Sequence, residues 1–254
     1  MSVTLERSRG QLALLTLLVA TTVTSCDSTP KHWGYGIEGG PEQWGSMEPA
    51  FALCSTGLSQ SPIDIITAQV DDIDLEALRF AYGGTPLDIE NNGHTIQVNV
   101  SSDATLSIGE SRFKLAQFHF HGPSEHKIDG IHAPLEMHLV HHDDAGLLAV
   151  VGVLIEAGDA NPELAKAWTH MPTEAGTSQT PAGVKIDLPG LLPGSTEGYH
   201  YQGSLTTPPC TEGVRWVVLM EPIQASPAQI DAFGAVVPPN NRPTQMLNGR
   251  TVTR

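Results

Sequence analysis

The sequence predicts a mainly β, single-domain protein, and three observations carry that prediction. Short runs in which apolar and polar residues alternate recur along the chain. A period of two places successive side chains on opposite faces of a strand. One run, Leu147–Ile155, is almost wholly apolar, as expected of a central strand covered on both faces. Turn signals such as Asn92-Gly93 and Asp129-Gly130 punctuate the runs. No linker, internal repeat or low-complexity tract marks a second domain. The formal net charge is −15, which argues against nucleic acid or an anionic lipid surface as the main partner.

Taken in order, residues 1–25 read as an export signal. Arg7 and Arg9 precede the apolar run Leu12–Ala20, which is too short to span a bilayer, and small polar residues follow. Val23-Thr24-Ser25-Cys26 resembles the bacterial lipobox, in which cleavage leaves the cysteine first and its sulfur takes a lipid. Conventional cleavage near Ser25 is the alternative. Residues 26–30 are then a tether and 31–254 the domain. No later stretch of ~20 apolar residues predicts a membrane span. Strands are predicted at Thr95–Val100, Ala104–Ile108, Arg112–His121, Leu135–His142, Leu147–Ile155 and Val214–Glu221. Asn161 as N-cap, with Pro162 behind it, opens a helix over Glu163–His170. Ser226-Pro227-Ala228-Gln229 has capping-box spacing and opens a helix to about Phe233. Gly, Pro, Ser and Thr are frequent between Thr173 and Gly198, which predicts a long surface loop.

Three histidines carry the chemistry: His119 and His121 in QFHFHGPSEH (117–126), and His138 in LEMHLVHH (135–142). Residues two apart in a strand share a face, ~6–7 Å apart. His119 and His121 therefore aim at one point, and a neighbouring strand carrying His138 closes the set. Three neutral imidazoles with an open fourth position make a catalytic zinc site, since a structural site is closed by a fourth protein ligand. Gln117 and Glu136, each two residues before a ligand, are placed to accept a hydrogen bond from its second ring nitrogen. Phe118 and Phe120 point to the other face, into core. In isolation Thr206 reads as a turn residue before Pro208-Pro209, Glu125 as a solvated carboxylate and His94 as a surface histidine.

QFHFHGPSEH, LEMHLVHH and GSLTTPPCTEGVRW (203–216) resemble the α-class carbonic anhydrases. HWGYG (32–36), PEQW (41–44), QSPIDI (60–65), NNGH (91–94) and NNRPTQ (240–245) support the resemblance in family order, over roughly 31–254. It implies a large, twisted, mostly antiparallel central sheet with short surface helices. It also implies reversible hydration of carbon dioxide to bicarbonate and a proton by a zinc-bound hydroxide, with one Zn2+ per chain. By the resemblance, Thr206 accepts from that hydroxide and donates to Glu125, while Thr206 N–H and the Thr207 hydroxyl contact substrate. Val140, Val150, Leu205, Val214 and Trp216 form the apolar pocket wall. His94 shuttles the proton through water held by Tyr35, Asn92 and Gln97, the last standing where an asparagine is expected. His126 is implied to be buried and structural. Cys54 and Cys210 match a disulfide of exported members. That pairing would leave Cys26 as the odd cysteine, which favours the lipid anchor.

The expected location is thus outside the cytoplasm, periplasmic or on the outer face of the cytoplasmic membrane, with the lipid as the sole membrane contact. Asp27 resembles the signal that retains lipoproteins at the inner membrane of Gram-negative cells. Two other functions fit the same residues: a catalytically silent binding module on the same fold, and a zinc-dependent esterase.

Overall fold

The computed structural model describes residues 32–254. The expected export signal and tether, and Cys26, lie outside the described residues. Eleven strands form one sheet: β1 (Leu78–Ala81), β2 (Ile89–Asn91), β3 (Ile96–Asn99), β4 (Thr105–Ile108), β5 (Ser111–His121), β6 (Leu135–His142), β7 (Leu148–Ala157), β8 (Thr177–Gln179), β9 (Gly198–Ser204), β10 (Glu212–Leu219) and β11 (Ile223–Ala225). The order along the sheet is β8-β2-β3-β5-β6-β7-β10-β9, with β4 sharing an edge of β5, β1 beyond it, and β11 sharing an edge of β7. Every pairing is antiparallel except β7 with β10 and with β11.

The six predicted strands all form. β7 is buried from Ala149 to Leu154 on both faces, as its apolar run requires. The helix at Pro162–Thr169 is capped by Asn161, whose side chain accepts from Glu163 N–H and Leu164 N–H. The helix at Pro227–Gly234 opens with a complete capping box between Ser226 and Gln229. Asp129 and Gly130, with φ of 51° and 82°, make a two-residue hairpin turn between Lys127–Ile128 and Ile131–His132. Positive φ at both positions is what such a turn demands.

One expectation needs correction, and one strand lies outside the predicted set. The 173–198 stretch is not one long loop. It contains β8, a strand at Lys185–Asp187 and a 3-10 turn at Leu188–Leu191. β9, which carries Gly198 and Gly203, lies outside the predicted strands. Both glycines are forced by close packing. A Cβ on Gly198 would lie 2.7 Å from Val217 Cγ1, and one on Gly203 2.2 Å from Ser61 Oγ. Glycine within a strand often marks such an approach.

The sheet separates two apolar layers. One, built on Phe113, Phe118, Phe120, Met137, Leu139 and Val151, packs under the two long helices. The other holds Ile63, Val150, Tyr201, Val214 and Trp216, with Val140 and Leu205 packed against it. The candidate site lies on this second side. Among the described residues no helix is long and apolar enough to cross a membrane.

Candidate metal centre

Antiparallel pairing of β5 with β6 sets His119 opposite His138 and His121 opposite Glu136. The three histidines each bring one ring nitrogen to within 4.8 Å of the others. The remaining nitrogens are committed elsewhere. His119 Nδ1 donates to Gln117 Oε1 at 2.8 Å. His121 Nδ1 donates to the Asn240 carbonyl at 2.8 Å, and His138 Nε2 donates to Glu136 Oε1 at 2.9 Å. Each bond fixes the tautomer that leaves the inward nitrogen with a lone pair. Burial, before any neighbouring charge, pushes all three rings below the ordinary histidine range, His121 to about 4. The cup is therefore neutral at pH 7 and ready to bind a cation.

His121 Nε2 and Glu125 Oε2 are buried polar atoms with no hydrogen-bond partner. They lie 3.6 Å apart, and Glu125 Oε2 is 3.8 Å from His138 Nδ1. Buried polar groups are rarely left unpaired. A buried, unpartnered His121 Nε2 within an all-imidazole donor set fits a zinc ion with one open position.

Glu136 is saturated. Its Oε2 accepts from Glu125 N–H and His126 N–H, both at 2.8 Å. Its Oε1 also accepts from His126 Nδ1 at 2.7 Å. Burial alone would raise its pKa, but the His126 and His138 rings reverse this and hold it well below the usual carboxylate range. Gly152, opposite His138 on β7, makes room, since a Cβ there would lie 2.8 Å from Glu136 Oε1.

Glu125 Oε1 accepts from Arg242 N–H at 2.8 Å. Burial lifts Glu125 to about 7, against the pull of His138, the Arg242 N–H and the adjoining Thr206 hydroxyl. Arg242 is buried, and its guanidinium donates to Cys54 O, Gln60 Oε1 and Ser61 O. Cys54 and Cys210 form a disulfide across 156 residues. In the chain-entropy treatment a closure of that length contributes about 5 kcal/mol. It ties the Thr206–Cys210 turn, closed by Cys210 N–H to Thr207 O, to the segment that Arg242 grips.

The expected pocket wall gathers on one side. Val140 pairs with Val150, and Val150 with Trp216. These residues share an apolar cluster with Val214 and Leu205. The Trp216 ring meets His138 edge-on at 4.9 Å. His94 lies half-exposed in the turn before β3, stacked on Trp33 at 3.7 Å and beside His32 at 5.0 Å. Burial first, and His32 second, lower its pKa. Asn92 Oδ1 caps that turn by accepting from His94 N–H and Thr95 N–H. Gln97, opposite His119, donates to Glu90 and Asn99. The Tyr35 hydroxyl is pushed up by burial and then by Glu125.

Asn240, Gly152, Tyr201 and Arg242 were not singled out from the sequence. Asn240 serves His121 through its main-chain carbonyl, which leaves no mark on residue type. Gly152 serves by lacking a side chain. His126 is buried as the resemblance implied.

A three-histidine centre with one free nitrogen per ring, beside an apolar wall, defines a metal site of the catalytic kind. Comparison with known proteins makes this specific. The family model for eukaryotic-type carbonic anhydrase matches residues 39–254. A carbonic anhydrase of Pectobacterium atrosepticum is 44% identical over 94% of this chain and 97% of its own. One from Nostoc is 43% identical over 99% and 98%. The solved α-carbonic anhydrase of Thermovibrio ammonificans, in complex with the inhibitor sulfanilamide, superimposes with a TM-score of 0.86 at 44% identity, covering 88% of this chain and 99% of that one. The chain belongs to the α-carbonic anhydrase family.

Proposed function

We propose that the protein reversibly hydrates carbon dioxide to bicarbonate and a proton, with zinc held by His119, His121 and His138. The observation that carries this reading is the buried, unpartnered His121 Nε2, which lies within 4.8 Å of the inward nitrogens of His119 and His138. Bound there, zinc supplies the Lewis acidity that brings a coordinated water's pKa to ~7, so that a nucleophile exists at neutral pH.

The chain's own residues do the rest. Glu125 Oε1 is occupied by Arg242 N–H, so Oε2 is left to accept from the Thr206 hydroxyl. A Thr206 that donates its proton to Glu125 must accept one from whatever ligand reaches the metal, which selects ligands carrying a proton and orients them. The Thr206 N–H and Thr207 hydroxyl face incoming substrate. Val140, Val150, Leu205, Val214 and Trp216 give apolar carbon dioxide an apolar seat. His94, neutral at pH 7, takes the released proton to buffer, across water bordered by Tyr35, Asn92 and Gln97. We further propose export and lipid attachment at Cys26. Membrane fractionation of Cys26→Ser tests this, and a wild type found wholly in the soluble fraction would reject it.

The test of the activity is stopped-flow hydration with zinc content measured on the same sample, for wild type and His119→Ala. One zinc per chain with rapid hydration, both lost in the variant, is expected. Folded wild-type protein that carries zinc and does not hydrate carbon dioxide would refute the reading.

A further inference from the structure

Behind Glu136 a run of hydrogen bonds continues away from the cup without reaching solvent. Glu136, saturated by four donors, can only accept, so His126 Nδ1 carries a hydrogen. The other ring nitrogen, His126 Nε2, is hydrogen-bonded to the Tyr201 hydroxyl at 2.6 Å. Tyr201 Oη in turn is hydrogen-bonded to Ser61 Oγ at 2.8 Å. Ser61 Oγ accepts from Ser204 N–H at 3.1 Å, and Ser61 N–H donates to Ser204 Oγ at 2.9 Å. Ser204 Oγ closes the run on Leu205 O, one residue before Thr206. Ser61, Ser204, Tyr201, His126 and Glu136 are all buried. The run links the Ser204 main chain, without a break, to the carboxylate that holds His138, and hydrogen bonds joined in a buried chain reinforce one another.

Two missing side chains clear its path. A Cβ on Gly152 would meet Glu136 Oε1 at 2.8 Å. A Cβ on Gly203 would meet Ser61 Oγ at 2.2 Å and the Tyr201 ring at 2.8 Å. The Tyr201 ring itself is held by other means: it stacks on Trp216 at an interplanar angle of 13°, and Arg250 lies over it. Its hydroxyl is therefore separable from its packing.

We propose that Tyr201 is a positioning residue of the metal centre. With Ser61 it holds His126 in the orientation that supplies one of the four donors to Glu136, and Glu136 in turn aims His138 Nδ1 at the metal. Without the hydroxyl, His126 Nε2 is buried and unpaired. The ring is then free to turn, Glu136 loses a fixed donor, and His138 loses its aim. This inference rests on the zinc reading above.

The experiment is competition for zinc between the metal-free protein and a chromophoric chelator, on wild type, Tyr201→Phe, Ser61→Ala and, as control, Tyr82→Phe. Tyr82 is half-buried and likewise hydrogen-bonded to a buried histidine, His141, but it lies on the opposite side of the sheet. Direct partners of metal ligands are worth about 10- to 100-fold in affinity. One step further out, about a three- to tenfold rise in the zinc dissociation constant is expected for Tyr201→Phe, a smaller rise for Ser61→Ala, and none for Tyr82→Phe. An unchanged constant in Tyr201→Phe, or an equal rise in Tyr82→Phe, would overturn the assignment. Should Tyr201→Phe not fold, Ser61→Ala against Tyr82→Phe decides by the same comparison. A wild-type protein without zinc affinity would overturn the zinc reading and the inference together.

Discussion

β6 points His138 into the cup and His141 into the core, and this two-sidedness has a consequence for acid stability. His141 is buried; its Nδ1 donates to Ala149 O at 3.1 Å and its Nε2 meets the Tyr82 hydroxyl. Burial lowers its pKa to about 4 from an ordinary 6.5, against the pull of its backbone hydrogen bonds. The sign follows from linkage. Above pH 6.5 neither folded nor unfolded chain is protonated at His141, and the residue makes no pH-dependent contribution. As pH falls below 6.5 the unfolded chain takes up a proton that the folded chain refuses, so stability falls until pH passes below 4. Between pH 7 and pH 5 the loss is about 2 kcal/mol, approaching about 3 kcal/mol below pH 4. Urea unfolding of wild type and His141→Gln at pH 7 and pH 5 isolates the effect, because the other histidines titrate alike in both proteins and cancel in the difference. The variant is expected to lose about 2 kcal/mol less than wild type over that interval. Equal losses in the two proteins would refute the argument.

The remaining predictions concern the cup and its exit. Gly152→Ala places a methyl against Glu136 Oε1, and a loss of at least about tenfold in zinc affinity is expected, with about 1–3 kcal/mol of stability. Chelator competition and urea unfolding check the two, and unchanged zinc affinity would show that Glu136 has room to spare. His94→Ala is expected to slow hydration in weak buffer and to recover with added imidazole, which supplies a proton acceptor of the same chemical type. Equal rates for both proteins across buffers would remove His94 from the proton path.

What was legible in the sequence is what strand period encodes. Alternation placed Gln117, His119 and His121 on one face and Phe118 and Phe120 on the other, and it paired each outer ligand with an acceptor two residues earlier. The apolar run announced β7 as central. Contacts that depend on main chain or on empty space were illegible. The Asn240 carbonyl that fixes His121 is main chain, held in place by a side chain that bonds Gly122 N–H, Phe120 O and His94 O, all far away in sequence, and Gly152 and Gly203 matter through atoms they lack. The donor run through Tyr201 and Ser61 joins residues 140 positions apart, a distance at which no local pattern survives. β9 was lost for the same reason, since its glycines answer to Val217 and Ser61 rather than to their own neighbours.

One asymmetry in the cup shows why the unseen contacts matter. Gln117 and Glu136 stand in the same sequence relation to His119 and His138, yet they grip opposite nitrogens: Nδ1 of His119 and Nε2 of His138. Strand period predicts the partner in both cases and cannot predict the nitrogen. The difference lies in what else each acceptor must satisfy. Gln117 Oε1 is free to lie beside the near nitrogen. Glu136 is drawn behind the ring by Glu125 N–H, His126 N–H and His126 Nδ1, into the space Gly152 leaves, and from there it reaches the far one. The third imidazole therefore presents Nδ1 to the metal. The carboxylate that imposes this is bonded to the main chain of Glu125, the residue whose side chain receives Thr206. Ligand geometry and the Glu125–Thr206 pair proposed to select proton-bearing ligands thus share a single buried carboxylate, and a substitution that moves Glu136 is expected to disturb both at once.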